Sequence, residues 1–576
     1  MLFRLLPPAA ALALAACATV PSAPAVPVEV GIVAINDFHG ALEPPRTSVS
    51  VTGPDGKGFG VPAGGAAYLA TAVEQVRAKY PNHLTVAAGD LTGASQLSSS
   101  IHLDEPAVGV MNRIGLDYTA VGNHEFDRGT KELTRLQTGG CAKYANRAPC
   151  SLEPFAGAHY TYLAANVVDA NGQTLFPGTA LRTFGTGRNK VTVGLIGLTL
   201  KGTDNLVSAS GIAGYRFLDE APVINADVAK LKAQGADAIV VLFHQGVRTV
   251  DPPDPNGCNQ PSGELLPIIP QLDPRIDVIV SGHTHWQYVC EWASRDPNRK
   301  FLVTSAGLYG KLVTDIRLTI DPATHRVVTR EAHNVIVQSE PYRGASGMVE
   351  LRPEYPHFSA DPAVAAYVGR YVAATAAFSS RPVGKVSGSA DLGVNGNASM
   401  GGTLGNLIAD AQLAATKAQG AQLALMNVGG IRAALNPAAD GSVTFGQLYK
   451  IQPFENTLVT MTLTGAQLKT VLEQGIDGQP TTMWLAPSAG FAYRYDLTRP
   501  AGERITAMTL GGQPIDPAAT YRVTTNSFLS DGGDSIAELA KGRDKVVGQT
   551  DVSALEDWIK AAPVREVPQE LRYTTP

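Results

Sequence analysis

The sequence predicts an α/β (α+β) protein of two unequal α/β units joined by a helix. Three observations predict it. From Val28 onward, apolar runs of strand length alternate with helical stretches, and each run stops at a cluster of polar residues. A turn-rich stretch at 339–359 gives way to one helical segment, after which the composition resets near Arg381. The 576 residues make room for two to four domains of about 150 residues each.

Taken in order, GIVAIND (31–37) reads as a strand and GGAAYLATAVEQVRAKY (64–80) as an Ala-rich helix. LTVAAGD (84–90) is a strand and DEPAVGVMNRIG (104–115) a helix. DYTAVGN (117–123), VTVGLIGLT (191–199), DAIVVLFHQG (237–246) and DVIVSGHTH (277–285) are further strands. FLVTSAG (301–307) and VTDIRLTID (313–321) look like hairpin partners, so parallel and antiparallel pairing should mix. Layering of this kind places a site at the strand ends. In DPAVAAYVGRYVAATAAF (361–378), Asp361 stands at the N-cap and Pro362 at the first helical position; this helix is expected as the inter-domain spacer. The second unit holds a helix in GNLIADAQLAATKA (405–418) and a strand running into a loop in AQLALMNVGG (421–430). LVTMTLTGAQLKTVLEQG (458–475) reads as strand, turn and helix, and YRVTTNSFL (521–529) as a strand. No internal repeat relates the halves.

A hydrophobic content of 44% and a charged content of 17% describe an ordinary globular chain. The net charge of −5 and the lack of a basic stripe argue against a grip on polymeric nucleic acid, though not on a single nucleotide.

MLFRLLPPAAALALAAC has one Arg, an apolar run and small residues ending in Cys17, a signal-peptide pattern too short to span a membrane. LAAC resembles a bacterial lipobox, which implies lipidation of Cys17; a plain secretory signal is the alternative. ATVPSAPAVPVEV reads as a Pro/Ala-rich tether. The expectation is an exported protein, in the periplasm or at the cell surface, anchored by lipid to the outer membrane; Ala18 fits that sorting. Cys141, Cys150, Cys258 and Cys290 remain, an even count that suggests two disulfides over free buried thiols. Three pairings are possible, and Cys141–Cys150 with Cys258–Cys290 closes the shorter loops. The sequence does not set the oligomeric state.

Five short motifs stand where apolar runs stop: NDFHG (36–40), AGD (88–90), GNHEFD (122–127), FHQG (243–246) and SGHTH (281–285). Each alone is weak, since a polar turn or a satisfied histidine pair explains it. Together, in this order, they make a metal site. Oxygen and imidazole ligands without thiolates suit Zn, Mn, Fe, Co or similar ions, and a carboxylate can bridge two ions about 3.5–4 Å apart.

The order D-x-H, GD, GNHE, H, GH-x-H resembles the calcineurin-like metallophosphoesterase superfamily. GNLIADA (405–411), NVGGIR (427–432), PFENT (453–457) and FLSDGGD (528–534) resemble the 5′-nucleotidase/UDP-sugar hydrolase family. The resemblance implies a four-layer metallophosphoesterase sandwich domain, a linker helix that lets the domains swing, and a smaller α/β substrate-binding domain. The implied boundaries are a signal peptide at 1–17, a tether at 18–28, the metal domain at 29–345, a linker at 346–380, the substrate domain at 381–565 and a tail at 566–576. Two divalent ions are implied: Asp37, His39 and His285 on one, Asn123, His244 and His283 on the other, Asp90 bridging. His124 is implied as the catalytic acid, oriented by Asp127, with Glu125 as structural support. Phe454 and Phe528 are implied to sandwich the base, Asp534 to hold the ribose, and Asn427 and Arg432 to contact base and phosphate.

The implied reaction releases phosphate from 5′-nucleotides, or acts on UDP-sugars or 2′,3′-cyclic nucleotides. The ions acidify a bound water, which attacks phosphorus in line with the leaving oxygen. One departure stands out. Relatives carry Arg and Glu before GNLIAD, whereas NGNASMGGTLGNL (395–407) has neither; Arg432 alone, or the Gly402–Thr403 amides at a helix N-terminus, would replace that clamp. Two other readings compete: a same-fold hydrolase of diesters or thiosulfate-type substrates, and a nucleotide-binding lipoprotein without turnover.

Overall fold

The computed structural model describes residues 26–145, 147–250, 253–344, 347–393, 401–477, 482–570 and 572–575. The lipobox ending at Cys17, residues 18–25 of the tether and residues 394–400 of the stretch without Arg or Glu lie outside the described residues.

Two six-stranded sheets form the first half. One runs, in spatial order, Arg326–Ile336, Leu312–Asp321, Val28–Ile35, His83–Ala87, Tyr118–Ala120, Thr161–Leu163. The other runs Gln287–Glu291, Leu302–Ala306, Val278–Ser281, Ala238–His244, Val191–Thr199, Thr179–Phe184. Side chains alternate across each strand. Val30, Ile32 and Ala34 therefore face Val193, Leu195, Val240 and Leu242 of the other sheet in one apolar layer. Val33 and Ile35 face the opposite way, onto helices Ala66–Arg77 and Glu105–Ile114. Behind the second sheet, Ile239 and Val241 pack against helix Glu220–Ala233. The result is the expected four layers. Burial on both faces explains why these strands read as continuous apolar runs.

The expected hairpin between FLVTSAG and VTDIRLTID does not form. Leu302–Ala306 pairs with Val278–Ser281 and Gln287–Glu291, whereas Leu312–Asp321 pairs with Val28–Ile35 and Arg326–Ile336. Gly307, Tyr309 and Gly310 take positive φ (73°, 62° and 63°), which turns the chain out of one sheet into the other. Short sequence separation favoured pairing, but the turn geometry decided against it. Parallel and antiparallel ladders do mix in both sheets.

Helix Pro362–Ser379 begins as expected, with the Val364 N–H donating to Asp361 at 2.7 Å and Pro362 in the first position. It buries Val364, Tyr367, Val368 and Tyr371 in the helical layer of the first half. Its last turn touches the second half, where Phe378 packs edge-on against Phe445 at 4.7 Å.

In the second half a five-stranded sheet runs Leu485–Pro487, Leu423–Asn427, Thr520–Asn526, Thr457–Thr464, Arg543–Thr550. Helices Gly402–Thr416 and Asp551–Lys560 share one apolar cluster, and Gly465–Ile476 packs in another. Both expected disulfides form, Cys141–Cys150 and Cys258–Cys290, with Cα separations of 5.6 and 5.2 Å.

Candidate active site

Each residue expected to hold metal stands at the C-terminal end of a strand. Asp37 and His39 follow Val28–Ile35, Asp90 follows His83–Ala87, and Asn123 follows Tyr118–Ala120. His244 ends Ala238–His244, and His283 and His285 follow Val278–Ser281. Asp37, His39, Asp90, His283 and His285 have left-handed backbones, with φ from 47° to 68°. Such geometry costs on the order of 1 kcal/mol or more per residue and persists where the surrounding fold imposes it. Gly122 lets two of these loops meet: a Cβ there would lie 2.1 Å from Asp90 Oδ1 and 2.5 Å from its backbone nitrogen.

Ligand atoms gather in two groups, Asp37/His39/His285 and Asp90/His244/His283, each within 4.8 Å. Hydrogen bonds fix which nitrogens face inward. His39 Nδ1 lies 2.8 Å from the Gly93 carbonyl and His244 Nδ1 lies 2.7 Å from the Ala88 carbonyl. Both nitrogens donate there, so Nε2 is turned toward the centre. His39 Nε2 then sits 3.2 Å from His285 Nε2, and 3.9 and 3.8 Å from the carboxylates of Asp37 and Asp90. His244 Nε2 is 3.0 Å from Asp90 Oδ2 and 3.0 Å from Asn123 Oδ1; His283 Nδ1 is 3.0 Å from that same amide oxygen. Asp90 Oδ2 is buried and accepts no hydrogen bond.

Acceptors outnumber donors here, and each buried group left unsatisfied costs about 1–3 kcal/mol. A divalent cation at each cluster removes that cost. Imidazole, carboxylate and amide oxygen without thiolate form the donor set of Zn, Mn or Fe. The donor set thus fits a divalent ion at each cluster.

The charges agree. Burial holds His39 and His283 down at about 3, in the neutral form an imidazole ligand needs; it also pushes the Asp37 carboxyl up to about 7, against the ionised form a ligand needs, a cost that an adjacent cation would offset. His244 differs: burial opposes its charge, yet the adjacent Asp90 carboxylate raises it to about 9. Burial likewise opposes charge on Asp90, and His244 foremost overcomes it, holding that carboxyl well below its usual range.

His124 Nδ1 lies 3.1 and 2.9 Å from the two Asp127 oxygens, which leaves Nε2 for a substrate. Burial opposes its protonation, but the Asp127 and Asp90 carboxylates outweigh burial and raise the imidazole above its usual range. Glu125 turns away from the centre. It accepts the N–H groups of Asp90, Leu91, Thr92 and Gly122 at 2.9, 2.7, 3.1 and 2.6 Å, and so locks the Asp90 loop against the Asn123 loop.

One cavity of about 210 Å³ joins this centre to the second half. Asn123, His124, Asp127 and His283 line it from one side; Asn427, Arg432, Phe454, Phe528 and Asp534 line it from the other. Phe454 stacks on His124, and the Arg432 guanidinium lies 5.8 Å from the Phe454 ring centre. Asn427 Nδ2 donates to Asp534 Oδ2 at 2.7 Å, and burial raises the Asp534 carboxyl to about 6. Gly402 and Thr403, expected as a replacement clamp, are not among the cavity-lining residues.

Sequence reasoning gave no role to three further residues. Asn36 Nδ2 donates to Asp37 at 2.7 Å and to the Gly307 carbonyl at 2.8 Å, orienting a candidate ligand; it lies inside NDFHG. Asn456, within PFENT, lines the cavity. Tyr309 sets its ring edge against His39, with centroids 6.0 Å apart, and no sequence pattern marks it.

Comparison with known proteins follows the same division. The family model of the calcineurin-like phosphoesterase matches residues 31–287, and that of the 5′-nucleotidase C-terminal domain matches residues 382–541. The chain is 30% identical to the endonuclease YhcR of Bacillus subtilis across 94% of its own length, and spans 40% of that relative. It is 25% identical to the 5′-nucleotidase of Diplobatis ommata, covering 94% of this chain and 89% of that one. The crystal structure of a 5′-nucleotidase precursor from Thermus thermophilus superposes with a TM-score of 0.72 at 27% identity, covering 95% of this chain and 99% of the other. With both halves matched in this order on a shared fold, the chain belongs to the 5′-nucleotidase family of metallophosphoesterases.

Proposed function

We propose that the protein is an exported two-metal phosphohydrolase that releases phosphate from 5′-nucleotides. One observation carries this reading: the two acceptor clusters and the residues suited to a nucleoside line or adjoin a single cavity. Asp37, His39 and His285 would hold one ion, Asn123, His244 and His283 the other, with Asp90 shared. When bound, the ions neutralise phosphate charge and acidify a water molecule for attack.

The chain's own residues supply the rest. His124 faces the cavity with Nε2 and, when protonated, can pass that proton to the ester oxygen as its bond to phosphorus breaks. Asp127 holds the ring and stabilises its charge. Arg432 places a fixed positive charge beside the centre, Phe454 and Phe528 offer ring faces to a base, and the Asp534–Asn427 pair offers polar atoms to a ribose. In this reading residues 29–345 form the metal domain and 381–565 the substrate domain. Two disulfides suit an oxidising compartment, and LAAC supports a lipid anchor at Cys17.

The test is release of phosphate or alcohol from 5′-AMP, 3′-AMP, 2′,3′-cyclic AMP, UDP-glucose and bis-p-nitrophenyl phosphate, with Mn²⁺, with Zn²⁺ and after chelation. Metal-dependent preference for 5′-AMP is expected. No turnover of any of them with metal present would overturn the hydrolase. A second reading, a phosphodiesterase, draws on the lack of Arg and Glu at 395–407, which leaves Arg432 as the one guanidinium among the cavity-lining residues described. A diester carries less charge than a monoester and needs less of a clamp; preference for bis-p-nitrophenyl phosphate would select this reading.

A further inference from the structure

We infer that Arg147 is a positioning residue for the nucleotide, acting through Glu455 on the ring of Phe454, and that the Cys141–Cys150 disulfide holds it in place. The inference rests on the nucleotide reading above.

Arg147 and Glu455 lie 308 residues apart in sequence and meet across the two halves. The guanidinium grips the carboxylate with two prongs, Nε donating to Oε2 at 2.9 Å and Nη2 donating to Oε1. Paired contacts of this kind fix orientation as well as distance. Both side chains are about three-quarters buried (27% and 24% exposed), so the pair is shielded from solvent more than a surface ion pair.

Glu455 sits between Phe454 and Asn456, both of which line the cavity, and its backbone is left-handed at φ 52°. The second half fixes the flanks of this loop through its carbonyls: the Tyr449 hydroxyl donates to Pro453 O at 3.0 Å, and the Asp551 N–H donates to Asn456 O at 2.8 Å. Arg147 fixes its centre from the other half.

The segment bearing Arg147 is itself anchored. The disulfide closes residues 141–150 into a loop. At one end Arg135 Nη1 donates to the Gly140 carbonyl at 2.9 Å; at the other the Cys150 N–H donates to Glu105 Oε1 at 2.9 Å. Arg135 joins Glu105 and Glu132 in a buried ionic group on helices Glu105–Ile114 and Gly129–Thr138. The second of these helices directly follows the His124–Asp127 segment. One rigid frame therefore carries both His124, on which Phe454 stacks, and Arg147, which holds the neighbouring Glu455. A ring steadied in this way presents a fixed face to a base, lowering the ordering cost of binding.

The experiment compares Arg147→Ala, Arg147→Lys, Glu455→Gln, the Arg147→Ala/Glu455→Gln double variant and Cys141→Ser/Cys150→Ser in the whole chain. Each is assayed on 5′-AMP and on glycerol 3-phosphate, which has no base. Arg147→Ala and Glu455→Gln should each raise KM for 5′-AMP about tenfold, with kcat changed less than about threefold and glycerol 3-phosphate turnover unaltered. The double variant should be no worse than either single one, because the two residues act as a unit. Arg147→Lys should recover part of the loss, and Cys141→Ser/Cys150→Ser should shift KM in the same direction. Additive effects, or equal losses on both substrates, would overturn the inference. Amide hydrogen exchange at Phe454, Glu455 and Asn456 gives a readout that needs no substrate: it should quicken in Arg147→Ala and slow again in Arg147→Lys, and unchanged exchange would also overturn it. Failure of the unaltered chain to act on any nucleotide would instead strike the nucleotide reading, leaving the exchange measurement to decide the role of Arg147 in holding the loop.

Discussion

The rings of His124 and Phe454 stack with near-parallel planes, centroids 5.6 Å apart and planes 11° from parallel. One residue is the candidate proton donor of the first half, and the other is a candidate base platform of the second. The contact ties reaction chemistry to substrate recognition across 330 residues of sequence. The Phe454 ring thus touches His124 as well as lining the cavity.

Removing that ring should separate the two duties. Base–aromatic stacking is worth about 1–3 kcal/mol, so Phe454→Leu should raise KM for 5′-AMP roughly tenfold or more. Turnover of glycerol 3-phosphate should fall far less, by no more than the lost packing against His124 costs, since it has no base to stack. Steady-state kinetics on the two substrates checks this.

His124→Asn should lower kcat by about 10²–10⁴-fold, the usual contribution of a positioned acid. Asp127→Asn should cost less, about 10–100-fold, because it orients the imidazole without touching phosphate. Metal content, measured on the same preparations, should stay unchanged in both, since neither side chain points into the acceptor clusters.

Asp90 reaches both clusters, so Asp90→Asn should weaken binding of both ions by about 100-fold or more. Metal analysis after dialysis and thermal unfolding with and without chelator would show it. Chelation should lower the Tm of the unaltered protein, because a ligand present at 100 times its Kd stabilises by about 2.7 kcal/mol. The Asp90→Asn protein should respond weakly to chelator.

Asp551 gives a pH-dependent term away from the centre. Burial raises its carboxyl from 3.8 to about 8, while its side chain accepts the Val552 N–H at 2.7 Å. The unfolded chain loses this proton first as pH rises, so its contribution to stability is full below about pH 4 and falls away up to pH 8. Asp551→Asn should abolish that fall and raise Tm at pH 8 by about 5 °C, with no gain at pH 4. Calorimetry at the two pH values tests the sign.

Much of the fold was legible because burial and period leave a direct trace. Val28–Ile35, Val191–Thr199 and Ala238–His244 read as strands because both of their faces are covered. Asp361 and Pro362 marked a helix start through local chemistry alone. The five strand-end motifs marked the site, since metal-binding chemistry draws on few residue types.

Other features left no such trace. The exposed strand Arg543–Thr550 lacks an apolar signature. The hairpin expectation at Leu302–Asp321 failed because three left-handed turn residues redirect the chain between sheets.

By itself, then, the sequence determined the element types, the family and the residues that gather at the centre. These follow from local period, residue chemistry and motif order. Only the tertiary structure decided which strands share a sheet, that Glu125 gathers four backbone N–H groups, that Phe454 lies on His124, and that Arg147 reaches Glu455. Those facts depend on where distant segments meet in space. Contacts of that kind are set by how whole layers pack, which no local stretch of sequence records.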